Sequence, residues 1–167
     1  MSAAEAVWSG KYLIMKREGT WEYVSRTGGM TAVVILAEHE GHVLLVEQYR
    51  VPVGRPVLEL PAGLVGDEDP DAGIEDTALK ELEEETGCRA ARIEPLGEFF
   101  SSPGMASEGF TLVRAQGVTA DGRKVEDAIR VHRVPRAEIA AFVDARRAAG
   151  VAIDVRILLL LGASLLG

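Results

Sequence analysis

Four carboxylates crowd one short run, Lys80-Glu81-Leu82-Glu83-Glu84-Glu85-Thr86-Gly87, at the end of a predicted helix. Ordinary helix energetics disfavours them there. Glu81 with Glu84 and Glu81 with Glu85 are like-charge pairs at i,i+3 and i,i+4 spacing, each costing about 0.2–0.5 kcal/mol. Gly87 reads as the residue that stops the helix, so these side chains face the negative end of the macrodipole, at a further cost of about 0.3–1 kcal/mol each. A bound hard cation reverses the sign of both effects.

The helical wheel sorts the acids into two groups. At about 100° per residue, Ile74, Ala78 and Leu82 form one apolar stripe, Glu85 falls within it, Glu81 lies about 60° from its centre, and Glu84 sits at the margin. Asp76, Lys80 and Glu83 point to the opposite side and form an ordinary solvent face. Carboxylates on the buried side need a partner. Clustered oxygens with no His or Cys beside them suit Mg²⁺, with Mn²⁺ as a second choice, rather than zinc, and Mg²⁺ commonly binds through a few carboxylates plus substrate phosphates.

Together, Pro61-Ala62-Gly63 and Lys80-Glu81-Leu82-Glu83-Glu84-Glu85-Thr86-Gly87-Cys88 resemble the Nudix box, G-x5-E-x7-R-E-U-x-E-E-x-G-U with U apolar, the signature of hydrolases of nucleoside diphosphates linked to another moiety. Lys80 stands where the family has Arg, which keeps the charge but loses the planar five-donor fork. Counting back from Gly87, Ala72 occupies the early Glu position. With Gly63 as the box glycine, three extra residues lie in Gly66-Asp67-Glu68-Asp69-Pro70-Asp71, where Asp69, Asp71 or Asp76 is placed to cap the altered loop. The resemblance assigns metal binding to Ala62, Glu81, Glu84 and Glu85, all untouched by these departures, and therefore implies an active box.

Residues outside the box are similar to the ADP-ribose pyrophosphatase subgroup: Gly10-Lys11-Tyr12, Thr20-Trp21-Glu22, Val46-Glu47-Gln48-Tyr49-Arg50, Leu58-Glu59-Leu60-Pro61-Ala62-Gly63, Ser102-Pro103-Gly104 and Ile129-Arg130-Val131-His132. The resemblance implies that Tyr12 and Trp21 offer π faces to adenine, against the alternative of plain strand packing. It implies that Arg50 grips the diphosphate with its guanidinium fork, with Arg55 a second choice, and that Glu59, Ser102 and Gly104 line the substrate. Hydrolysis also needs a base for the attacking water. Glu84 is one candidate, and the stretch Val125-Glu126-Asp127-Ala128-Ile129 offers two more: Asp127 by register and Glu126 by side-chain length. His132, alone on an alternating strand, is read as structural. Serines 101 and 102 lack the G-x-S-x-G setting of a nucleophile.

The elements that must position these residues follow from periodicity. Residues 11–15 and 21–25 read as a hairpin around Arg17-Glu18-Gly19-Thr20. Residues 31–38, 42–48 and 57–60 read as strands before the box helix, and 91–100, 110–115 and 129–134 as strands after it. Residues 135–148 and 153–161 are predicted helices. The order gives one α/β domain over residues 1–167, an α/β/α sandwich with a mixed sheet of the kind Nudix proteins adopt. Residues 1–27 form an N-terminal hairpin extension, which the subgroup resemblance exchanges between the subunits of a homodimer.

Composition narrows the partners. The chain has 167 residues, 47% of them hydrophobic, and a net charge of −8 without a basic tract, so phosphate-backbone contacts with DNA or RNA are not expected. No secretory signal is visible, and residues 157–161 are too short an apolar run to span a bilayer. Cys88 is the only cysteine and is expected to be a buried thiol, in keeping with a cytoplasmic location. Neither a P-loop nor a G-x-G-x-x-G turn nor a zinc motif occurs. The expected activity is Mg²⁺-dependent hydrolysis of ADP-ribose or a related nucleoside diphosphate sugar. GDP-mannose or another nucleoside diphosphate derivative is the alternative substrate, and a noncatalytic Nudix ligand sensor is the alternative class.

Overall fold

A computed structural model of the chain describes residues 3–67, 69–122 and 125–165; Glu68, in the lengthened box loop, lies outside the described residues. The N-terminal segment forms a three-stranded antiparallel sheet of β1 (Glu5–Ser9), β2 (Leu13–Glu18) and β3 (Trp21–Arg26). The expected hairpin is present as β2 and β3, turning at Gly19, whose φ of 60° suits glycine. β1 is an addition to that hairpin, and its pairing is interrupted by an irregularity between Ala6 and Trp8.

The main sheet contains β4 (Ala32–His39), β5 (His42–Arg50), β6 (Arg55–Glu59), β7 (Ala62–Leu64), β9 (Arg92–Phe100), β10 (Gly109–Gln116), β12 (Arg130–Pro135) and β13 (Ala152–Ile153). Its path runs β13-β6-β5-β4-β10-β9, with β12 also pairing β5 and β7 pairing β4. β10 runs parallel to β4, while β9 is antiparallel to β10, so the sheet is mixed as expected. A separate two-residue pairing joins β8 (Cys88–Arg89) to β11 (Thr119–Ala120).

β4 is apolar from Ala32 to Ala37 because both faces of that stretch are covered. Val33, Ile35 and Ala37 pack on one side with Ala78 and Leu82 of α1 (Ile74–Thr86). Val34 packs on the other side with Ile139 and Val143 of α2 (Ile139–Ala148) and Leu161 of α3 (Leu158–Leu165). The chain is therefore the expected α/β/α sandwich. Among the described residues, no helix is long and apolar enough to cross a membrane.

Three boundaries differ from the sequence reading. The Pro-Ala-Gly segment is not a simple turn: Ala62, Gly63 and Leu64 form β7 against β4, because backbone pairing continues past Pro61. The predicted helix over 153–161 begins later. Ile153 pairs with Leu58, and the Asp154 carboxylate accepts from the Arg156 backbone N–H at 2.8 Å, starting a 3-10 turn over Val155–Ile157 before α3. Hydrophobicity marks burial there, whereas the capping acid marks the start. Similarly, residue 135 closes β12 and a 3-10 turn over Arg136–Glu138 precedes α2.

Candidate active site

The site is built where β7 meets the box helix. Gly63 and Glu81 approach so closely that a Cβ on Gly63 would lie 2.0 Å from Glu81 Oε1. Glycine is required at that position for space rather than for an unusual backbone conformation. One turn along α1, Glu85 is only 6% exposed, and its Oε2 accepts the Ala62 backbone N–H at 3.0 Å. Burial pushes the Glu85 carboxyl up to about 7, opposed by the Ala62 hydrogen bond and reinforced by the Glu81 charge. α1 ends as expected at Gly87, left-handed with φ 66° and donating to the Glu83 carbonyl.

These features fit a hard cation. Glu81 and Glu85 offer carboxylate oxygens beside the Ala62 main chain, and the Glu85 carboxyl, buried next to the like charge of Glu81, is stabilised in its ionised form by a divalent ion. Among the described residues, no group of three His, Cys, Asp or Glu side chains is placed to hold a cation. Glu84 is 43% exposed, with Lys80 Nζ 3.9 Å from its Oε2. Its backbone carbonyl accepts the Glu126 N–H at 3.3 Å. That contact brings the exposed Glu126–Asp127 loop over the last turns of the box helix.

A cleft of about 720 Å³ opens beside Ala62 and Gly63. Arg50 and Glu59 both line it, and they are joined: Arg50 Nε and Nη2 each lie 2.9 Å from Glu59 Oε2. Burial raises the Glu59 pKa, and Arg50 lowers it only in part. Sequence reasoning missed Arg26 and Arg156, which also line this cleft and pair with Glu108 and Asp154. No motif marks either one.

The remaining expected residues fall elsewhere. Trp21, 64% exposed, lines a separate pocket of about 410 Å³ with Pro103 and Gly104. This pocket is held together by β3: the Val24 N–H donates to the Met105 carbonyl and the Val24 carbonyl accepts from the Ser107 N–H, both at 2.9 Å. Ser102 makes the turn, its carbonyl accepting from Met105 and Ala106, while Ser101 lines the main cleft. Tyr12 is 52% exposed beneath Lys11 Nζ and lines neither cavity. Arg55 is exposed, opposite Arg50 across the β5–β6 pair.

The altered box loop forms its own pocket of about 440 Å³, lined by Asp67, Asp69, Ala72, Lys80 and Glu81 among others. Of the three acids proposed to cap it, Asp69 does so locally, accepting the Asp71 N–H at 3.0 Å. His132 bonds Glu47 at 3.0 Å, and Glu47 is also held by Arg146 at 2.7 Å. Burial lowers the His132 pKa, in keeping with a structural imidazole.

The NUDIX domain model matches residues 28–152. The chain belongs to the Nudix family. Among curated relatives, it is 41% identical over 97 residues to the methanol dehydrogenase activator of Bacillus methanolicus, covering 58% of this chain and 50% of that protein. It is 36% identical over 115 residues to the ADP-ribose pyrophosphatase of Bacillus subtilis (strain 168), covering 64% and 60%. The chain thus spans about half to three-fifths of the length of these relatives. A solved structure described as an ADP compounds hydrolase superposes with a TM-score of 0.72 at 22% identity, covering 98% of this chain and 91% of that one. That likeness concerns the Nudix fold. The N-terminal sheet and Arg156 lie outside the residues matched by the Nudix model.

Proposed function

We propose that the protein hydrolyses the diphosphate of ADP-ribose or a related nucleoside diphosphate sugar, with Mg²⁺ as the metal. The observation that carries this reading is the packing of Glu81 on Gly63 and of buried Glu85 on the Ala62 N–H, at the edge of a cleft that also presents Arg50. Similarity to the ADP-ribose pyrophosphatases of Bacillus subtilis and of Mycobacterium tuberculosis, the latter 35% identical over 106 residues, supports the substrate class.

Glu81, Glu85 and the Ala62 carbonyl, with Glu84, would hold the cation. When bound, it supplies positive charge that offsets the diphosphate and favours ionisation of the attacking water. Arg50, aimed by Glu59, binds phosphate oxygens through its fork. Glu126 or Asp127, on the loop tied to the Glu84 backbone, takes the water proton. The water oxygen bonds to one phosphorus, the bridging P–O bond breaks, and a nucleoside monophosphate and a sugar phosphate leave. Trp21, against Pro103 and Gly104, stacks on the base, while Tyr12, at the far end of the same hairpin, stays away from it.

The reading includes a cytoplasmic homodimer, supported by the buried single cysteine and by the exposed Val7, Trp8, Leu13 and Met15 of the N-terminal sheet. A Mg²⁺-supplemented panel of nucleoside diphosphate derivatives, with products separated by chromatography, tests the activity. ADP-ribose should be cleaved fastest. Preference for GDP-mannose would shift the substrate, and tight binding without turnover would make the protein a ligand sensor.

A further inference from the structure

Arg50 is a long side chain, 41% exposed at the end of β5, yet its guanidinium is fixed on Glu59. Glu59 is only 4% exposed. A buried carboxylate facing one partly solvated cation is poorly compensated, so a second positive group is required to keep it charged and in place. Arg156 supplies that group, with Nη2 3.7 Å from Glu59 Oε1, on the side away from the Oε2 atom that Arg50 holds most closely.

Arg156 is itself held in place by several contacts. Its Nε and Nη2 lie 2.6 and 2.8 Å from the two Asp154 oxygens, a bidentate fork. Its guanidinium carbon sits 5.8 Å from the Phe110 ring centroid, and the Asp154 N–H donates to the Leu58 carbonyl at 3.0 Å. The chain of contacts therefore runs from the edge of β6 through Asp154 and Arg156 to Glu59, and from Glu59 to Arg50.

We propose that Arg156 is a positioning residue: acting through Glu59, it sets where the Arg50 guanidinium stands in the cleft. The role given to Arg50 rests on the hydrolase reading above, while the placement of Arg50 by Arg156 does not. The test has two arms. In the first, with no substrate, the Arg50 Nε–H resonance is assigned by its loss in Arg50→Lys, and its exchange with solvent is measured. Arg156→Met should speed that exchange about tenfold, the order expected for weakening a charge-assisted hydrogen bond, and Arg156→Lys should restore most of the protection. Unchanged exchange in Arg156→Met overturns the proposal.

The second arm reads ADP-ribose turnover in Mg²⁺. Arg156→Met should raise KM about tenfold with little change in kcat, and should add nothing further in an Arg50→Met background, since residues acting through one another are not additive. Fully additive effects would mean that Arg156 meets the substrate by itself, and would overturn the positioning role. Loss of melting temperature with unchanged KM would leave Arg156 merely structural, and would overturn it as well. No turnover by the parent protein would defeat the hydrolase reading alone, because the exchange measurement still decides the placement of Arg50.

Discussion

Gly63→Ala adds one methyl group at the tightest point of the site. The new Cβ would sit 2.0 Å from Glu81 Oε1, 2.1 Å from its Cδ and 2.4 Å from its Cγ. Ordinary contact begins at 3.4 Å, so the Glu81 carboxylate must retreat by at least about 1.4 Å from its present place beside β7. The backbone is unaffected, because Gly63 is not in the left-handed region and alanine adopts the same strand conformation. The obstructing atoms belong to the far end of a flexible side chain, so the fold should survive, with a change in stability of about 1 kcal/mol or less. Catalysis should not. A misplacement of about 1 Å in a reacting constellation costs on the order of 100-fold, and this shift is larger. The assay is ADP-ribose turnover at saturating Mg²⁺ beside a thermal melt. A kcat within threefold of the parent, with an unchanged melt, would show that Glu81 need not stand against Gly63, and the proposed cation site would be wrong.

Glu85→Gln should abolish most turnover, since the amide keeps shape and loses charge, whereas Glu83→Gln, whose side chain pairs with Arg89, should barely change it. In chelator the same Glu85→Gln protein should melt higher than the parent at pH 8 and no higher at pH 4. The sign follows from the raised carboxyl: the folded state holds a proton up to about 7 that the unfolded state releases near 4.5, so stability falls as pH rises through that window, by roughly 3 kcal/mol. Equal melts at pH 8 would remove Glu85 from the buried, metal-demanding role. Trp21→Ala should weaken ADP-ribose binding by about 1–3 kcal/mol and raise KM more than it lowers kcat, with a stability loss well below the 3–5 kcal/mol of a core tryptophan because the ring is exposed; unchanged KM would end the stacking assignment. Light scattering should give a homodimer at micromolar concentration, and a fully active monomer would contradict it.

The carboxylate pattern on α1 was legible because it conflicts with helix energetics: Glu85 lies in the stripe of Ala78 and Leu82 and is buried with them. The sandwich was legible in the unbroken apolar run of β4, whose alternate residues enter two cores. Arg26 and Arg156 were not. Arg26 pairs with Glu108, far along the chain, and Arg156, though forked on nearby Asp154, also reaches Glu59 on β6, and no local period encodes such meetings. Short pairings such as β7, β8, β11 and β13 were equally silent, since two or three residues carry no alternation and their pairing is decided by the neighbouring backbone. The separation of Trp21 from the main cleft likewise depends on the bridge between β3 and residues 105–107, a contact across some eighty positions.

Cation-dependent cleavage of a nucleoside diphosphate sugar by the box carboxylates can be watched bond by bond when ADP-ribose is followed by ³¹P NMR. With Mg²⁺, the two diphosphate resonances should give way to equal amounts of a nucleoside monophosphate and a sugar phosphate, and chelator or Glu85→Gln should halt the conversion. Stable diphosphate signals in Mg²⁺ or Mn²⁺, from folded protein that binds ADP-ribose, would contradict the account.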